Sequence, residues 1–158
     1  MARITAVLSC VWVLAGCAFF DSVRENYESQ QVLELIGYAQ KIAALQAEEQ
    51  RRELNASSQM FSKNRGAYGR VRLALVLALP GTTFNDDAKA AGLLEPLTGT
   101  AATAESLPGP MQQFAELLHA QISERLREQR RAAQLKEQLE ALMAIERKII
   151  EREQARPK

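Results

Sequence analysis

Arg70-Val-Arg-Leu-Ala-Leu-Val-Leu-Ala-Leu79 is the stretch on which the fold class turns. Eight apolar residues in ten would suit a buried strand as well as a buried helix, because a short continuous apolar run has no period to read. Composition separates the two. The run is built from Leu and Ala, with only two β-branched residues, and Leu and Ala favour helix over sheet. Gly66-Ala-Tyr-Gly69 precedes it and Pro80-Gly81 stops it.

The residues that follow continue the same reading. Thr82 to Asn85 form a loop, and Asn85 or Thr83 is expected to cap a helix from Ala88 to Leu97. Asp86 and Asp87 would lie in its first turn, where the helix dipole favours negative charge. Pro96 and Gly99 end it. The two segments predict a helical hairpin over 66–97, close in size to a tetratricopeptide unit. Residues 100–110, rich in Thr, Ala, Gly and Pro, read as a linker. Met111 to Gln154 then runs without Pro or Gly. That predicts one helix about 66 Å long at 1.5 Å per residue.

Phe114, Leu118, Ile122 and Leu126 share one face of this helix, suited to packing on the preceding helices. After a polar gap the row resumes at Leu135, Leu139, Leu142, Ile145 and Ile149, in steps approximating a heptad. The spacing predicts coiled-coil-like behaviour and allows self-association through residues 135–149. Upstream, residues 24–62 contain no Pro and a single Gly. Val32, Leu35, Ile36, Ala39, Ile42, Ala43 and Leu45 recur at three-to-four spacing, as on one helix face. Periodicity fits one rod or two antiparallel helices broken near Ala47. The expected fold is therefore all-α, with a helical body over 24–99, a linker, and a long C-terminal helix over 111–158.

The first residues carry a different signal. Arg3 and the apolar stretch Ile4 to Leu14 are followed by Leu14-Ala15-Gly16-Cys17. About 11 apolar residues are too few for a bilayer, which needs about 20, but suit a secretion signal ending in small residues. The quartet resembles the lipobox of bacterial prolipoproteins. That resemblance implies a signal peptide over 1–16, cleavage before Cys17, acyl chains on Cys17 and a tether over 17–23. Ala18, in place of Asp, implies transfer to the outer membrane, facing the periplasm. Two or more acyl chains anchor a protein stably.

Composition narrows function. The chain carries 20 basic and 19 acidic residues. Loss of Arg3 with the signal would make it formally neutral, which argues against nucleic-acid binding. Cys10 would leave with the signal and Cys17 would be lipidated, so no thiol remains for a disulfide or metal. His119 is the only histidine. No His-based metal cluster or Ser-His-Asp triad can be assembled, and His119 reads as a surface residue. Gly66-x-x-Gly69 lacks the surroundings of a phosphate loop. Asp86-Asp87 could form a carboxylate dyad, though helix capping accounts for both. No cofactor and no enzymatic activity are expected.

One charge pattern stands out. Between Glu53 and Asp86 there is no acidic residue, whereas Lys63, Arg65, Arg70 and Arg72 all lie there. Arg70 and Arg72 fall in the first turns of a helix, where the dipole disfavours cations. They need compensation, either from Asp86 and Asp87 across the hairpin or from an acidic partner.

The segment Arg70-Val-Arg-Leu-Ala-Leu-Val-Leu-Ala-Leu-Pro-Gly-Thr-Thr-Phe-Asn-Asp-Asp-Ala-Lys-Ala90, continuing to Leu97, resembles a block in small proteobacterial lipoproteins of the QseG (YfhG) type. Leu135-Lys-Glu-Gln-Leu-Glu-Ala-Leu-Met-Ala-Ile-Glu-Arg-Lys148 resembles that family's C-terminal helix. The resemblance implies an accessory lipoprotein of a two-component system, modulating a sensor histidine kinase through the periplasm without catalysis. Arg70 and Arg72 would then be partner-binding residues. The alternative is a structural or scaffold coiled-coil lipoprotein of an envelope assembly complex.

Overall fold

The computed structural model describes residues 26–98 and 109–154, the Glu153 side chain excepted. The signal segment, Leu14, Ala15, Gly16, Cys17, the tether and all but the last two residues of the expected linker lie outside the described residues. Within them the chain forms α1 (26–43), α2 (Ala47–Lys63), α3 (Ala67–Leu77), α4 (Asp87–Leu94), a 3-10 turn (Glu95–Leu97) and α5 (Pro110–Gln154). No described residue is in a strand, so the all-α reading holds.

The described part of 24–62 forms two helices rather than one. At the end of α1 the bonds tighten: Ala44 N–H donates to Lys41 O at 3.2 Å and Leu45 N–H to Ile42 O at 3.0 Å. Gln46 turns to an extended conformation, and the Glu49 carboxylate accepts its backbone N–H at 3.4 Å. Gln50 reaches back to Ile42 O at 3.1 Å, covering a carbonyl that the helix end leaves open. Farther from the turn on both sides, Tyr38 of α1 meets Glu53 of α2, so the two helices are antiparallel.

α3 is apolar on almost every side and buried accordingly. Val71, Leu73, Ala74, Val76 and Leu77 are buried, and α3 packs on both α2 and α4. A helix that is apolar all round belongs in an interior. Gly69 permits the approach at one end, since a Cβ there would stand 3.0 Å from Asn64 O and 3.7 Å from Phe61 Cα. Gly81, at φ 78°, makes the turn after Pro80 that other residues adopt at a cost.

The helix cap differs from expectation. Asp86, not Asn85 or Thr83, caps α4, its Oδ1 accepting Lys89 N–H at 2.8 Å. Asn85 is occupied elsewhere: its Nδ2 donates to Leu77 O at 3.1 Å and Leu79 O at 3.2 Å, closing the end of α3. α4 stops at Leu94 because Pro96 has no N–H to continue the ladder, and three residues tighten into the 3-10 turn.

Pro110 belongs to α5 rather than to the linker, as its first residue. Its missing N–H costs nothing there and its fixed φ suits a helix start. Packing divides the chain between Ile122 and Ser123. In the first unit, Leu35 and Ile42 of α1, Ala90 and Leu94 of α4, and Met111, Ala115 and Ile122 of α5 are each buried. In the second unit, α5 continues as helix with Glu124–Arg127 and Glu128–Arg131 pairs at 3.0 Å each. Such exposed pairs contribute only a few tenths of a kcal/mol each.

Candidate docking surface around Arg70 and Arg72

Arg70 and Arg72 lie two residues apart on α3, so their side chains leave the helix in different directions. Arg72 points into the junction of α1, α2 and α3. Its guanidinium carbon lies 4.0 Å from the centre of the Tyr38 ring. Its Nε donates to Ser57 Oγ at 3.2 Å, and an Nη2 stands 3.5 Å from Glu53 Oε2. Ser57 is 1% exposed.

The donors and acceptors form a closed ring. Arg72 donates to the Ser57 oxygen, leaving that hydroxyl's proton for the Tyr38 oxygen 2.9 Å away. Tyr38 in turn donates to Glu53 Oε2 at 2.9 Å, and Glu53 faces Arg72 again. Each member satisfies two others, as a buried polar cluster requires. Burial pushes the Tyr38 hydroxyl above its ordinary pKa of 10.0, and the Glu53 hydrogen bond adds to that. The Ser57 bond and Arg72 oppose the rise without cancelling it.

Of the two compensations open to Arg72, pairing with Asp86 and Asp87 or with an acidic partner, the first is not formed. Glu53, one full turn before Ser57 on α2, is the carboxylate that faces Arg72. Asp86 serves as the α4 cap, and Asp87 is 5% exposed with Asn85 Nδ2 at 3.5 Å from its Oδ1. Glu53 is the residue that bounds the acid-free stretch in sequence, and nothing local marks it as the partner of Arg72. Tyr38 and Ser57 carried no local motif.

Arg70 lies on the accessible side. It is half-buried, its Nε donating to Arg65 O at 3.2 Å and its guanidinium carbon 5.3 Å from the Phe61 ring centre. Lys63 and Arg65 are exposed beside it in sequence. These contacts hold the Arg70 guanidinium against the end of α2, away from the cluster that takes Arg72. His119 is half-buried on α5. Among the described residues no three His, Cys, Asp or Glu side chains are grouped as a metal site, and no helix is long and apolar enough to cross a membrane.

The second unit presents a different surface. Leu135, Leu139, Leu142, Ile145 and Ile149 are each at least half exposed, with Met143 and Ile150 beside them. Comparison with protein-family models, with curated proteins and with solved structures found no match to this chain.

Proposed function

We propose that this chain is a lipoprotein of the outer membrane, acting as a non-catalytic periplasmic adaptor that modulates a two-component sensor histidine kinase. The observation that carries the reading is the Leu14-Ala15-Gly16-Cys17 quartet at the end of a short apolar run. A thiol after small residues is what acylation and cleavage at that bond require, and Ala18 supports onward transfer to the outer membrane. The resemblance of 70–97 and 135–148 to lipoproteins of the QseG type supports the kinase as partner.

The geometry of α3 divides the two arginines by role in this proposal. Arg72 fixes the junction that presents α3, while Arg70, flanked by Lys63 and Arg65, offers charge to an acidic periplasmic surface. Losing one charged, hydrogen-bonded contact at the centre of an interface typically costs about 2–5 kcal/mol. A structural or scaffold lipoprotein is the second reading, favoured by the exposed apolar row of α5.

Pull-down of the tagged chain from crosslinked envelopes tests the choice. Recovery of a sensor histidine kinase, reduced at least tenfold by Arg70→Glu with unchanged thermal melting, supports the adaptor. Recovery of an outer-membrane assembly complex in its place supports the scaffold and overturns the adaptor.

A further inference from the structure

We propose that the C-terminal part of α5 pairs antiparallel with the same segment of a second copy of this chain, across a two-fold axis at Leu142. The pairing is independent of the adaptor reading. Its first support is the amount of apolar surface left open. Leu135, Leu139, Leu142, Met143, Ile145, Ile149 and Ile150 are between 45% and 64% exposed, all within sixteen residues. Burying such a row is favourable in proportion to the area removed from water.

The spacing of the row selects the orientation. Leu135, Leu139, Leu142, Ile145 and Ile149 are separated by steps of four, three, three and four, which read identically from either end. A parallel coiled coil needs threes and fours to alternate, and two successive threes break its seam. An antiparallel pair centred on Leu142 meets no such break. It sets Leu139 level with Ile145 of the second copy and Leu135 level with Ile149, over about 21 Å.

Charge agrees with the same choice. At 3.6 residues per turn Glu146 falls within the apolar row. A parallel pair in register would set Glu146 level with Glu146 of the other copy, which repels. The antiparallel pair sets it level with Gln138, an amide donor. Lys136 of the second copy then lies on the same flank, about 3 Å further along the axis. A lipid surface is a poorer fit. Lys136, Arg147, Lys148 and Arg152 are balanced by Glu137, Glu140, Glu146 and Glu151. A helix lying on anionic lipid carries a basic excess on its polar face.

The test uses the full chain in isolated envelopes. Leu135→Cys and Ile149→Cys chains, carrying tags of different size, are co-expressed and treated with a mild oxidant, with the parent chain as background for Cys10 and Cys17. The pairing predicts a mixed disulfide between Cys variants 135 and 149, and little of either homotypic product. Homotypic products without the mixed one would show a parallel pair and overturn the proposal. Light scattering of the detergent-solubilised chain gives a check that needs no cysteine: a dimer for the parent and a monomer for Leu142→Glu at unchanged helix content. A monomeric parent at tens of micromolar would equally overturn it.

Discussion

The guanidinium of Arg72 stacks on the ring of Tyr38, 4.0 Å from its centre, and so joins α3 to α1 through the same cluster that joins both to α2. A cation over a shielded aromatic face contributes about 0.5–2 kcal/mol. Leaving the buried Ser57 oxygen without its Arg72 donor adds the cost of an unsatisfied acceptor, about 1–3 kcal/mol, whereas Glu53, on the wetter side, keeps the Tyr38 hydroxyl.

Arg72→Ala is therefore expected to lower stability by about 2–4 kcal/mol. Arg70→Ala, losing an exposed backbone contact and a longer ring contact, should cost under about 1 kcal/mol. Urea unfolding followed by helical circular dichroism checks both. Arg72→Glu should be rescued in part by Glu53→Arg and not at all by lysines at Asp86 and Asp87. Rescue through Asp86 and Asp87 would show that the partner of Arg72 is misassigned.

Tyr38 makes stability depend on alkaline pH. Its folded pKa lies above the unfolded value near 10.0, chiefly because the hydroxyl is buried. The folded state holds that proton more tightly. The resulting stability is complete below the unfolded value and disappears as pH rises through the folded one. As pH rises past about 10 the parent should lose more unfolding free energy than Tyr38→Phe. Equal losses in the two proteins would remove Tyr38 from the account.

The connection between α3 and α4 relies on two adjacent side chains with opposite tasks. Asp86→Ala removes the α4 cap and should cost about 0.5–2 kcal/mol. Asn85→Ala uncovers the carbonyls of Leu77 and Leu79 and should cost about 1–2 kcal/mol. Thr83→Ala should have an effect below about 0.5 kcal/mol, although sequence reading ranks Thr83 as a capping residue. Its hydroxyl only receives an exposed Arg51 contact at 3.3 Å.

What the sequence displayed and what it hid follow from the range of the interactions. The helix over 67–77 was legible because Leu and Ala density is a local property, and α5 because nothing interrupts 45 residues. The α1–α2 turn was not fixed, since Gln46 and Glu49 close it without Gly, Pro or a Ser, Thr, Asp or Asn cap. The charge imbalance of 54–85 was visible. Its resolution was not, because Tyr38, Glu53 and Ser57 reach Arg72 only after two turns of chain bring three helices together. In α5 the apolar row was visible, and the exposure of every member adds that no described residue covers it.

The most direct measurement of the central claim is metabolic labelling with radioactive palmitate, followed by separation of inner and outer membranes. The parent chain should carry label and travel with the outer membrane. Cys17→Ser should be unlabelled, retain residues 1–16 and leave that fraction. Label on the Cys17→Ser chain, or a parent chain without label, would contradict the lipid-anchored adaptor at its base.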